Sequence, residues 1–282
     1  MSGRLSQYKI LGRLGAGAMG ELHRARDTRH GRTVALRILS PTIAGDPDRR
    51  FRFLRDAEHA AALSHPNIAT LYEVGEDGDQ LFAAFEFVPG DSLKSIIAAG
   101  PIHPRRAVQA IAQIADALAQ GHAKGMVHGA LDADHVVITP KGNAKVLDFG
   151  LSSWSGAPRQ TSEPDTFDDL AALGVLLQDM ARGTAASGQG RSLPEIDRIV
   201  ARALCEDPEE RYDSAGTMAA ELRTVDAALE AEHARTPDRK HTVPPRLISR
   251  PRPNARRLSR LVFALGIAAV AGTAWVARDR LT

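Results

Sequence analysis

The chain has 282 residues, of which 43% are hydrophobic and 25% charged, enough to bury one large core or two lobes followed by a tail, so a disulfide-dependent mini-protein is excluded. Its net charge of +2 hides an asymmetry: from Arg235 onward there are eleven Lys or Arg against Asp238 and Asp279, leaving 25 basic and 32 acidic groups in the rest. The pI near 8.8 therefore belongs to the tail, whose basic residues lack interleaved aromatics, and a nucleic-acid partner is not expected. The single cysteine, Cys205, lies in the helical run IVARALCEDP, which rules out an internal disulfide and suits a packed thiol in a reducing compartment.

In chain order, Tyr8 to Leu14 is strand-like and leads into Gly15-Ala16-Gly17-Ala18-Met19-Gly20, after which Glu21 to Ala25 reads as a second strand. A dinucleotide-binding fold would need a helix there, so a strand-turn-strand flap is implied. Its glycines let backbone N–H groups approach phosphates without Cβ interference, although a plain glycine hairpin has the same sequence. Val34 to Arg37 follows, then FRFLRDAEHAAALSHPNI, whose Pro66 stops a helix, and then the apolar strand Leu81 to Val88, ended by Pro89-Gly90.

Beyond this point helices dominate. Val108, Ile111, Ala115, Leu118 and His122 line one helical face that Gly125 ends. Further stripes are Leu173, Leu176, Leu177 and Met180; Ile196, Ile199, Val200 and Ala203; and Met218, Leu222, Val225 and Leu229. Between them, Val136 to Thr139 and Ala144 to Leu147 flank the turn Pro140-Lys141-Gly142-Asn143 and form a hairpin. It delivers Asp148 to a turn before Gly150, next to a loop carrying His128, Asp132 and Asp134, so polar groups converge at one edge.

The order of these motifs resembles the bacterial, eukaryotic-like Ser/Thr protein kinase family over about residues 8 to 229. Asp148-Phe149-Gly150 looks like the metal-binding DFG triplet, Val34-Ala35-Leu36-Arg37 stands at V-A-I-K, and Val127 to Ile138 looks like the catalytic loop H-R-D-L-x-x-x-N. Residue by residue, His128 and Leu131 match that loop. Gly129 replaces the Arg, Ala130 the catalytic Asp, and His135 the Asn that binds the second magnesium ion.

The resemblance implies an α+β, bilobal kinase-like fold, with a β-rich N-lobe over 8–88 and a helical C-lobe over 89–230. It implies a nucleotide site at Gly15, Gly17, Gly20, Leu22, Ala35, Arg37, Glu86 and Val88, with Leu81 to Val88 as edge strand and hinge and Phe85 as gatekeeper. A core strand would read the same way. Asp148, and more weakly His135, are the metal positions, so ATP and Mg are the expected ligands. His128, Phe149, Asp169 and Arg211 are structural, Asp169 holding the catalytic-loop backbone and Arg211 facing Glu163.

Two departures fall together. The register set by Leu63-Ser64-His65-Pro66-Asn67-Ile68 puts Asp56, not Glu58, where the family has the Glu that pairs with the strand lysine. Arg is longer than Lys by about 1 Å and Asp shorter than Glu by about 1.3 Å, so an Arg37–Asp56 ion pair is predicted, holding the helix inward.

Other losses concern chemistry. Ala130 supplies no proton acceptor, a contribution worth about 10²- to 10⁴-fold. Asp132 replaces a Lys beside the transferring phosphate, where a carboxylate about 4 Å away costs roughly 4 kcal/mol at an effective dielectric of 20. Only 18 residues separate Gly150 from Asp169, fewer than the family carries; A-P-E is absent, Ser162-Glu163-Pro164 is at most a remnant, and Gly183 to Ser192 reads as a short linker. The expectation is a pseudokinase that binds nucleotide. The alternatives are an atypical or autophosphorylating kinase using Asp132 or Asp134, and an interaction domain with an empty cleft.

Residues 231–260 read as a basic Pro/Arg linker. Leu261 to Ala277 has 17 residues without a charge, about 26 Å as a helix, and reads as a single transmembrane helix with a short outer tail over 278–282. Six arginines between Arg246 and Arg260 place the kinase-like part in the cytoplasm, where a signalling protein is the expected partner.

Overall fold

The structure is a computed structural model that describes residues 3–151, 154, 165–186 and 193–235. Residues 236–260 of the expected linker, the membrane segment 261–277, the tail 278–282 and the Ser162-Glu163-Pro164 remnant lie outside the described residues; residues 231–235, expected to open that linker, instead continue a helix that ends at Arg235.

The N-terminal lobe is an antiparallel sheet of β1 (Arg4–Leu5), β2 (Tyr8–Gly17), β3 (Gly20–Asp27), β4 (Arg32–Leu39), β5 (Leu71–Asp77) and β6 (Gln80–Glu86), in the order β1-β2-β3-β4-β6-β5. The strand expected at the edge, Leu81 to Val88, is interior: β6 lies between β4 and β5, and the edge is β5. Leu81 to Phe85 are all buried, which only a strand with neighbours on both sides and cover on both faces permits. Helix α1 (Pro41–Ala44) and helix α2 (Pro47–Ala61) follow β4. Asp46 caps α2 by accepting from the N–H groups of Asp48 and Arg49, and Pro47 at the first position has no N–H to lose.

Two apolar clusters flank this sheet. One joins Met19, Leu39, Ile43, Phe53, Leu71, Leu81 and Leu151; the other joins Tyr8, Val34, Leu36 and Phe82. The second lobe is built on α4 (Pro104–His122), preceded by β7 (Asp91–Ser92) and α3 (Leu93–Ala99). Its predicted face is buried: Val108, Ile111, Ala115 and Leu118 are fully enclosed. Helices α5 (Thr166–Ala186), α6 (Pro194–Ala203) and α7 (Ala215–Arg235) pack around it. The linker expected from Gly183 begins later, because the Ala-containing stretch through Ala186 continues α5. Cys205 lies just past the end of α6, half-buried, with its Sγ 3.6 Å from Glu210 Oε2.

The expected hairpin is present as β8 (Val136–Ile138) and β9 (Ala144–Val146), each one residue shorter than read, with Val136 opposite Val146 and Ile138 opposite Ala144. The Thr139 N–H donates to Asn143 O across its turn, and Gly142 takes φ +83°. The Val146 N–H donates to Asn67 O and Val146 O accepts from the Ala69 N–H, while Asn67 Nδ2 donates to Gln113 Oε1 and Ala144 O. The His65-Pro66-Asn67-Ile68 segment thereby fastens the connection leaving α2 to the hairpin and to α4.

Candidate functional site

The loop between α4 and β8 is held from α5. Asp169, in the first turn of α5 and 1% exposed, accepts from the N–H groups of His128 and Gly129, each at 2.8 Å, and contacts His122 Nε2 at 2.8 Å. The backbone-holding role expected of Asp169 is thus present, and His122 is an additional partner that the helical pattern had placed only on an apolar face. Gly129 takes φ +75°, a conformation the family's Arg would adopt only with strain.

His128 is buried. Its Nε2 lies 3.1 Å from Leu147 O, and its ring meets Phe149 and His135 edge-on at 5.6 and 5.3 Å. Burial, followed by the neighbouring His135, pushes its pKa down to about 4, so it is a neutral structural group. Phe149 is 4% exposed and rests against Gly121 of α4, where a Cβ would come within 2.2 Å of Phe149 Cζ.

Asp148 has φ +53°, and that turn presents its carboxylate to β4. Arg37 Nη2 is 2.8 Å from Asp148 Oδ2, with both side chains largely buried. The predicted Arg37–Asp56 pair is therefore replaced by Arg37–Asp148. Asp56 instead accepts from Trp154 Nε1 at 3.2 Å and pairs with Arg55 at 3.1 Å. The physical reason lies after the triplet: Leu151 and Trp154 close successive turns by bonding to Asp148 O and Leu151 O, and Trp154 packs edge-on to Phe53 of α2 at 5.7 Å. The indole takes the carboxylate that the helix register had assigned to Arg37. Arg37 Nε stays buried without a hydrogen-bond partner.

Ala130 stands in the held loop with no ionisable group of its own. Asp132 caps the 3-10 turn Ala133–His135, accepting from the N–H groups of Asp134 and His135 and from His135 Nδ1 at 2.8 Å. Its partial burial alone would raise its pKa, but the charge of His135 and these hydrogen bonds outweigh that and lower it. Asp134 pairs with Lys94 Nζ at 2.7 Å. Both surrogate carboxylates are exposed.

The glycine turn closes between Gly17 and Gly20, with Leu22 opposite Arg37 and Arg24 opposite Ala35 across β3 and β4. Gly20 has φ +130°, and a Cβ there would lie 2.0 Å from Ile38 O. Gly15 and Gly17 have open space instead, and Met19 is anchored in the core. At the hinge, the Glu86 N–H is spent on Thr70 O at 2.8 Å and its carboxylate binds Lys145 Nζ at 2.7 Å, so Glu86 offers neither group to a ligand. Val88 follows the end of β6 and is half-buried. The Lys145 pair was missed because nothing in local spacing joins residues 59 apart. Arg211 stacks over the Phe167 ring at 3.8 Å; its proposed partner Glu163 is outside the described residues.

These features agree with the comparisons to known proteins. The protein kinase domain family matches residues 8–167. The Ser/Thr protein kinase PrkC of Bacillus subtilis is 30% identical over 267 residues, covering 80% of this chain and 41% of that protein. PknB of Mycolicibacterium smegmatis is 31% identical, covering 78% and 43%. The chain thus spans about two fifths of the length of these curated relatives. A crystal structure of the Mycobacterium tuberculosis PknI kinase domain aligns with a TM-score of 0.66 and 26% identity, over 80% of this chain and 98% of that one. A bilobal fold, the held catalytic-type loop and these likenesses together make the chain a member of the bacterial, eukaryotic-like Ser/Thr protein kinase domain family.

Proposed function

We infer that this kinase-family chain works as a membrane-tethered pseudokinase, a cytoplasmic signalling module that binds nucleotide and transfers phosphate weakly or not at all. The observation that carries the reading is Ala130. It occupies the proton-acceptor position in a loop whose backbone is fastened by Asp169, so the loss is of chemistry and not of architecture. A base contributes about 10²- to 10⁴-fold, and neither nearby carboxylate is a good substitute. Asp132 is held by His135 and lowered in pKa, and Asp134 is engaged by Lys94.

Nucleotide is the proposed ligand because the glycine turn, Leu22, Ala35 and Arg37 lie on one tract of paired strands. Protein kinases generally use ATP and Mg²⁺. Residues 261–277 are the proposed membrane anchor, and the proposed partner is another cytoplasmic protein.

The test is transfer of labelled phosphate from ATP by the full chain, with Asp148→Ala as control. Incorporation at background in both proteins is expected. Metal-dependent incorporation by the native chain that disappears in Asp148→Ala would establish the competing reading, an atypical kinase working through Asp132 or Asp134.

A further inference from the structure

We propose that the cleft takes a nucleotide polyphosphate without a divalent cation, with Arg37 supplying the positive charge that magnesium supplies in active kinases. The proposal rests on the reading of the cleft as a nucleotide site.

The donor set argues against magnesium. Asp148, the principal metal position, has Oδ2 at 2.8 Å from Arg37 Nη2, and the two side chains are only 13% and 11% exposed. A dication on Asp148 would have either to displace the charge-assisted bond at Oδ2 or to take Oδ1 beside the same guanidinium, sharing the carboxylate with a fixed positive charge. Such a bond is worth about ten- to a hundredfold in affinity. The second metal position holds His135, whose Nδ1 is 2.8 Å from Asp132 Oδ1, leaving one imidazole nitrogen. Magnesium selects hard oxygen ligands in near-octahedral array, whereas imidazole suits later transition metals.

Arg37 is equipped for an anion. A guanidinium has five N–H donors in a planar fork and stays charged at every relevant pH. Nη2 is used by Asp148, while Nε is buried and without an acceptor. A buried donor left unmade is costly, so a shift of the side chain that brought Nε to an incoming oxyanion would relieve that cost. Arg37 is 9% exposed and lies across from Leu22, two residues beyond Gly20 at the end of the glycine turn. Phosphate oxygens beneath that turn would meet Arg37 with its charge only partly neutralised. Asp148 then acts as a positioning residue for the guanidinium, and its own charge opposes the ligand.

ATP affinity of the full chain, measured in EDTA and in excess magnesium, tests this. The expected result is a dissociation constant in EDTA equal to or lower than that in magnesium. Asp148→Asn should tighten metal-free ATP by about tenfold, and Arg37→Gln should weaken it by about tenfold. Tightening of the native chain by magnesium of about threefold or more overturns the inference and leaves the nucleotide reading standing, and its loss in Asp148→Asn would place the metal on that carboxylate. Absence of ATP binding in both media overturns both. The native-chain comparison decides the matter even if a variant fails to fold.

Discussion

At the scale of single residues, the site is organised by where charge is neutralised. Arg37 is paired with Asp148, Asp132 is tied to His135, and Asp134 to Lys94. His128 is kept uncharged by burial, with a pKa near 4 against an ordinary value of 6.5. Because its folded pKa is depressed, the unfolded chain takes up the proton first, so this contribution to stability is complete above pH 6.5 and is lost as pH falls towards 4. Its size is roughly 3 kcal/mol. His65, lowered by desolvation, loses stability in the same direction, whereas the lowered carboxylates of Asp27 and Asp132 act only at more acid pH. Denaturant unfolding followed from pH 7 to pH 4.5 should therefore show falling stability, and His128→Gln should flatten most of that slope. An unchanged slope in the variant would show that His128 is not the buried titrating group.

At the scale of elements, packing overrides intrinsic preference. Gly121 sits in the last turn of α4, where Ala would favour the helix by up to about 1 kcal/mol. A Cβ there would come within 2.2 Å of Phe149 Cζ and 3.3 Å of Met126 O. The ring has little room to retreat, being 4% exposed and set against His128. Overpacking of this kind costs about 1–3 kcal/mol, so Gly121→Ala should lower the urea midpoint; a raised midpoint would mean the Phe149 seat is loose. The same competition explains Asp56: the turn after Asp148-Phe149-Gly150 brings Trp154 to its carboxylate, and Arg37 pairs with Asp148.

At the scale of the whole molecule, charge and hydropathy divide the chain. The acidic groups outnumber the basic ones before Arg235, and eleven Lys or Arg follow against two acids. Among the described residues no helix is long and apolar enough to cross a membrane, and residues 261–277 lie beyond them. The full chain is expected to stay with the membrane fraction after carbonate washing, and a chain ending at Thr236 to be released. Release of the full chain would remove the proposed anchor.

Several features were legible from local sequence because their causes are local. The strands read over Tyr8 to Leu14 and Glu21 to Ala25 follow from a glycine turn between them, although pairing extends both into the glycines to Gly17 and Gly20; the face of α4 follows from a 3.6-residue period, the β8–β9 hairpin from Pro140 to Asn143, and the seat of Asp169 from motif order. Other features were not. The interior place of β6 depends on pairing with β4 and β5, which lie far away in the chain. The partner of Arg37 depends on a contact 111 residues distant, set by the positive φ of Asp148 and by Trp154 capturing Asp56. Sequence alone therefore determined which ionisable side chains stand in the loop and that Ala130 stands among them, since identity and short-range periodicity are written in the chain. Which opposite charges meet was decided only in three dimensions, because several carboxylates compete for one guanidinium and distance selects the winner.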